Sequence, residues 1–82
     1  MSNIENLRIT VNRVNGLLDD LCNRPPKLHM HRSYNRVRLE LLDDGSVYRE
    51  LPCIGPKDCL KFAEGMEEAL ELLVYGKERW GA

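Results

Sequence analysis

Two histidines flank one methionine at His29-Met30-His31, and this pattern is the one in the sequence that most suggests chemistry. Residues two apart on a strand point to the same side of the sheet, so both imidazoles could bind one metal ion. Zinc accepts histidine and cysteine ligands in a tetrahedron, and Cys53 or Cys59 could complete such a set. Two solvent-facing histidines on an edge strand explain the same pattern. We keep His29 and His31 as candidate ligands and assign no cofactor.

Cys59 is the candidate nucleophile. It falls in the first turn of a predicted helix, where the helix dipole and Lys57 favour a thiolate. A nucleophilic cysteine also needs a base, and only His29 or His31 is available for that role. Because Cys59 lies on the apolar face of that helix, a small core residue is the simpler interpretation. We therefore predict no catalytic residue and no enzyme activity.

Basic and aromatic side chains are concentrated between residues 27 and 48. On the outer face of a sheet, Arg32, Arg36, Arg38 and Tyr48 could bind a phosphate or stack on a base. A solvated face, with Arg38 paired to Glu50, is the alternative, and we favour it. The four residues remain candidates for an anionic ligand.

Composition narrows the class of protein. The 82 residues carry a formal net charge of −1, without the basic excess typical of nucleic-acid or membrane-surface binders. No apolar run approaches the roughly 20 residues needed to cross a bilayer, and the beginning of the sequence lacks the pattern of a secretory signal. The three cysteines are odd in number and not clustered, which favours reduced thiols. We expect a cytoplasmic protein that forms a single domain over residues 1–82.

The elements that position these residues begin with a helix over about residues 2–23. Ser2 and Glu5 have the spacing of a capping box, which marks its start. Asparagines such as Asn12 and Asn15 lower its intrinsic helicity, so the helix needs a packing partner. Pro25-Pro26 ends it.

Alternating apolar and polar residues then predict strands over about 35–42 and 46–53. A further alternation over about 28–32 is either a third strand or the start of one long bent strand, and we favour the third strand. Between the later strands, a two-residue turn would mix apolar and charged side chains on both faces. A three-residue loop with Gly45 in a bulge sorts the faces, pairing Leu41 with Val47 and Val37 with Leu51.

A second helix is predicted over about residues 56–75. Pro56 suits its first turn, Asp58 suits the positive end of its dipole, and Gly76 is a natural C-cap. The fold class is therefore α+β: an N-terminal helix, a two- or three-stranded antiparallel sheet and a C-terminal helix.

The first helix carries a narrow apolar stripe with alternating spacings of three and four, the pattern of a coiled-coil seam. We call this stripe the seam; it consists of Ile4, Leu7, Val11, Val14, Leu18 and Leu21. It can pack antiparallel on the second helix of the same chain, or on a second copy.

The second helix has an apolar stripe of its own, Phe62, Met66, Leu70 and Leu73, with which it can cover the sheet. This arrangement leaves the seam without a partner in the chain, so we predict a homodimer with the seam as its interface. Few charges flank the seam, so charge pairs do not specify a parallel or an antiparallel dimer.

The order helix, three strands, helix resembles that of double-stranded-RNA-binding domains. Those domains are similar to one another in a lysine-rich start of the last helix, and this chain has Lys57 and Lys61 there, separated by Asp58. The rest of the second helix is strongly acidic, which would repel phosphates. The resemblance is therefore one of topology, and we assign no family.

Without a complete catalytic motif, we expect a small non-enzymatic, oligomeric interaction protein that binds a protein partner. A bacterial or phage accessory regulator or inhibitor fits this description by analogy. One alternative is a module that binds RNA, DNA or a nucleotide through the basic sheet face. Another is a zinc or thiol enzyme built around His29, His31 and Cys59.

Overall fold

The computed structural model describes residues 2–34 and 36–80. The elements follow the order α1 (Asn3–Leu21), β1 (Lys27–Ser33), β2 (Arg36–Asp43), β3 (Ser46–Glu50) and α2 (Pro56–Trp80). The predicted α+β class and element order are confirmed. Asn35, where we predicted the second strand to begin, lies outside the described residues, as do Met1, Gly81 and Ala82.

Helix α1 begins where the capping box predicted. The backbone N–H of Glu5 donates to the Ser2 side-chain oxygen at 3.2 Å, and Ser2 itself is extended. At the other end, the Cys22 N–H donates to the carbonyl of Leu18 at 3.0 Å. The helix ends at Leu21, two residues before the predicted boundary at about residue 23.

The three strands form one antiparallel sheet in the order β1-β2-β3, so residues 27–33 are a separate strand, as we favoured. In the β1–β2 register, Met30 lies opposite Leu39 and His29 lies opposite Glu40. Leu28 and Leu39 are buried, whereas His29 is exposed. The sheet therefore has one apolar face and one polar face.

The turn between β2 and β3 has two residues, and the predicted three-residue loop is wrong. Asp43 pairs with Ser46 across it. Asp44 and Gly45 have φ angles of 52° and 81°. Two successive residues with positive φ match the twist of a hairpin, which is why a short Asp-Gly turn is favoured here.

The bulge lies one step farther from the turn than predicted. Leu42 pairs with Val47, but Leu41 pairs with Arg49, so Tyr48 is the extra residue on β3. The predicted pairing of Leu41 with Val47 is therefore wrong. The bulge restores the alternation that a simple two-residue turn would disturb.

Past the bulge, Leu51 lies beside Leu39 rather than beside Val37 as predicted. The Leu51 N–H donates to the carbonyl of Leu39 at 2.9 Å. Leu51 still packs against the apolar core, because Leu39 and Val37 are on the same face of β2.

The two helices cover the apolar face of the sheet, α1 over β1 and α2 over β2. The seam residues Leu7, Val11, Val14 and Leu18 are buried inside this single chain. Ile4 packs against the core and Leu21 is 39% exposed. The seam is thus closed within the chain, and our assignment of it as the dimer interface is corrected: α2 and β1 are its partners.

The helices also run in the same direction, which overturns the antiparallel option. Arg13 of α1 forms an ion pair with Glu67 of α2 at 3.8 Å. Farther along both helices, Asp20 and Tyr75 border one surface depression. Three antiparallel strands connect the helices, and the resulting four chain reversals bring α2 back parallel to α1.

Helix α2 is longer than predicted and continues through Gly76, so the predicted C-cap is wrong. Its 25 residues correspond to a length of about 37 Å at 1.5 Å per residue. Among the described residues, no helix combines the length and apolar character needed to cross a membrane.

Candidate functional site

The polar face of the sheet brings His29 and His31 together with Glu40. His29 lies directly opposite Glu40 across β1 and β2, and His31 is two residues along on the same face. The potential ligand atoms of the three side chains all lie within 4.8 Å of one another. His31 Nδ1 and Glu40 Oε1 are 3.9 Å apart. The predicted pair of histidines is therefore part of a group of three.

Sequence reasoning missed Glu40 in this role. Its distance from His29 along the chain is eleven residues, and no metal motif has that spacing. The signal lies in the strand register, since a residue directly opposite is closer than any neighbour on the same strand face. Finding Glu40 requires the β1–β2 pairing, which the alternation of residues alone does not fix.

Cys53 and Cys59 cannot complete this group. Both are buried, Cys53 beside the core and Cys59 on the inner side of α2. Cys59 Sγ lies 3.7 Å from the carbonyl oxygen of Val37, beneath the sheet on the helix side. The histidines are on the opposite face. The proposed His and Cys ligand set is therefore wrong.

The two buried thiols instead contact each other. Cys59 Sγ lies 2.8 Å from Cys53 Sγ, at hydrogen-bond distance. Burial raises the pKa of the Cys59 thiol from 9.0 to about 12, and the hydrogen bond and charge of Cys53 and the charge of Asp58 add to this shift. A thiol with so high a pKa is protonated and poorly nucleophilic at neutral pH. The helix dipole and Lys57, which favour a thiolate, therefore do not determine the protonation state of Cys59.

The four residues predicted to bind an anionic ligand do not lie together in the structure. Arg36 and Arg38 border one depression on the polar face. Arg32 lies opposite buried Val37 and so belongs to the other face, at the end of β1. Tyr48 lies near the hairpin, beside Leu41. The structure brings together two of the four.

Arg38 is also occupied by a carboxylate. Its guanidinium lies 3.2 Å from Glu50 Oε2. The two residues are diagonal across β2 and β3, because Glu50 pairs with Glu40. This ion pair was part of our preferred interpretation of a solvated face. It also weakens the case for a phosphate-binding surface here.

A second candidate surface lies on the last turns of α2. Leu72, Leu73 and Tyr75 are 57%, 61% and 63% exposed. Neighbouring Ala69 is also exposed, whereas Leu70 packs against the core. Exposed apolar side chains that lie together on one element are typical of interaction sites. Ala69 lies beside Leu72 and Leu73, at spacings of three and four residues, whereas Tyr75 points to a different side of the helix. We call Ala69, Leu72 and Leu73 the α2 patch.

Comparisons with known proteins give no assignment. No family model, curated protein or solved structure is significantly similar to this chain.

Proposed function

We propose that this chain is a non-enzymatic interaction protein that self-associates through the α2 patch. The observation that carries the proposal is the exposure of Leu72 and Leu73 beside exposed Ala69, at spacings of three and four residues on one helix. Covering such side chains removes apolar surface from water, which stabilises association by about 25 cal/mol per Å² before the costs of ordering. The seam no longer supports a dimer, so the interface moves from α1 to α2.

The pattern of α2 supports a second copy as the partner. Phe62, Met66, Ala69 and Leu73 recur at spacings of four, three and four, as at the a and d positions of a coiled coil. Phe62 and Met66 are half-buried against the core, whereas Ala69 and Leu73 are exposed. The stripe thus continues from the core to the surface along one helix. A two-fold dimer would bring the exposed half of each stripe against that of the other copy.

The wider role follows by analogy and is also part of the proposal. A dimer of this size could present its outer surfaces to a protein partner, as a bacterial or phage accessory regulator or inhibitor would. The odd number of cysteines supports a reducing compartment such as the cytoplasm.

Sedimentation velocity over a concentration series tests the self-association. The wild-type chain should shift from monomer to dimer as its concentration rises. Leu73→Ser should weaken the dimer by at least about tenfold, the effect of about 1.4 kcal/mol. Ile54→Ser is the matched control, because Ile54 is 69% exposed but lies in the loop before α2. It should leave the dissociation constant unchanged.

Two results would contradict the proposal. One is a wild-type chain that stays monomeric at all concentrations, which would leave the α2 patch to a different protein or to no partner. The other is a dimer that Leu73→Ser and Ile54→Ser affect equally, since the contact would then lie elsewhere.

A further inference from the structure

We propose that His29, His31 and Glu40 form a binding site for a divalent transition-metal ion, with Zn²⁺ as the reference ion, on the polar face of the sheet. The first argument is geometric. All three ligand atoms lie within 4.8 Å of one another. Ligands around a tetrahedral zinc ion are about 3.3 Å apart, given bond lengths of about 2.0 Å. Small side-chain rotations therefore suffice to bring the three atoms onto one ion.

The backbone fixes this arrangement. Glu40 lies on the central strand, with His29 directly opposite it on β1. Its side chain is 15% exposed, compared with 54% for that of His31. Glu40 is thus partly buried between β1 and β3, whereas the two histidines are exposed to solvent. An ion placed there would join β1 to β2 at the middle of their pairing.

The charges around Glu40 provide an independent reason for a cation. Glu40 pairs directly with Glu50 on β3, and like charges in that position destabilise a sheet. Arg36 and Arg38 border the same depression as Glu40, but Arg38 is paired with Glu50 at 3.2 Å. Within the described part of the chain, His31 at 3.9 Å is the only basic side chain in ion-pair range of Glu40. A metal ion would neutralise the carboxylate that Arg38 does not.

The ligand types select the class of metal. Two imidazoles and one carboxylate suit zinc, cobalt, nickel or copper, whereas calcium and magnesium prefer oxygen ligands. Three protein ligands leave at least one coordination position free, and no helix of the described chain covers this face. The site is therefore open to water or to a ligand from solution.

Isothermal titration with Zn²⁺ alone tests the site. The titration uses a Cys22→Ser background, because Cys22 is an exposed free thiol and a thiolate is itself a zinc ligand. We expect one zinc ion per chain. His29→Ala and Glu40→Gln should each weaken binding by at least about tenfold, the loss that removing even a supporting group of a metal site causes.

Glu50→Gln is the matched control. It makes the same chemical change as Glu40→Gln on the same face of the sheet, but outside the group of three. It should change zinc affinity by less than about threefold, since Glu50 is exposed and supplies no ligand atom to the group. Far-UV circular dichroism of each variant establishes that it is folded.

The outcomes separate the possibilities. Equal effects of Glu40→Gln and Glu50→Gln would overturn the three-residue site and leave a general electrostatic attraction. Loss of binding with His29→Ala but not with Glu40→Gln would reduce it to a pair of histidines, which also overturns the proposal. Absence of zinc binding to the folded Cys22→Ser chain would exclude the site altogether.

Discussion

Asn15 joins α1 to β1 through both ends of its side-chain amide. Its Nδ2 donates to the carbonyl of Leu28 at 2.9 Å, and its Oδ1 accepts from the Leu28 N–H at 2.7 Å. The amide thus acts as the hydrogen-bonding partner of one residue on an edge strand. From the sequence, Asn15 was only a residue that weakens the helix, because its partner lies thirteen residues away in the chain.

Asn15→Ala should therefore lower the free energy of unfolding by about 1 to 3 kcal/mol, the cost of leaving partly buried donors and acceptors unpaired. Urea denaturation measures this change. Asn12→Ala is the control, because Asn12 is exposed on the same helix. Equal effects of the two substitutions would show that the amide of Asn15 contributes nothing beyond helix propensity.

The candidate metal ligands and the cysteines show which features of a site can be predicted from local sequence alone. His29 and His31 could be predicted to share a face, since the two-residue period of a strand is local. Glu40 and the contact of Cys53 with Cys59 could not, because they depend on strand pairing and on how α2 lies across the sheet. Long-range pairing leaves no local pattern in a single sequence.

At the scale of elements, the β2–β3 hairpin shows that one extra residue can be placed either in the loop or in a strand. Our prediction placed the extra residue in the loop, whereas the structure places it at Tyr48. Both solutions contain one bulge and both sort the side chains by face. The alternation of the strands therefore could not decide between them, although the Asp-Gly pair of the turn could have.

Gly45→Ala should destabilise the chain by about 1 to 2 kcal/mol, because Gly45 has a φ angle of 81° and a side chain is strained there. Gly16→Ala provides the contrast. Gly16 lies inside α1, where an added Cβ meets nothing within 4 Å, so alanine should stabilise by up to about 1 kcal/mol. Chemical denaturation of the two variants gives both values. A stabilising Gly45→Ala would show that the turn does not hold this backbone conformation in solution.

At the scale of the whole molecule, the seam was recognised correctly as a buried stripe but given the wrong partner. Its spacing of three and four is the same whether the facing helix belongs to the same chain or to another. The parallel course of α2, which brings Cys59 and Ala63 against Leu7 and its neighbours, depends on the number of strands between the helices. The helices are parallel because three strands lie between them; two strands would have made the helices antiparallel.

The buried thiol makes the stability of the entire chain sensitive to alkaline pH. The Cys59 pKa of about 12 in the folded chain compares with 9.0 for an exposed thiol. Between these values the unfolded chain loses a proton that the folded chain retains, so this contribution to stability is present below pH 9 and disappears as the pH rises towards 12.

Cys59→Ala should remove that part of the decline, whereas Cys22→Ser should retain it, because Cys22 is exposed. Unfolding free energies at several values between pH 8 and 12 make the comparison. The same decline in both variants would contradict the assignment to Cys59.

The parallel helices also make the molecule an electric dipole. In an antiparallel pair the two helix macrodipoles would cancel, but here they add. Asp19 and Asp20 reinforce the negative end of α1, whose last turn has no basic residue. Although the net charge of the chain is only −1, the helix dipoles thus give its charge distribution a direction. Because the effect of a helix dipole falls off within the last turn, it acts locally: the surface at the end of α1 favours basic groups over acidic ones.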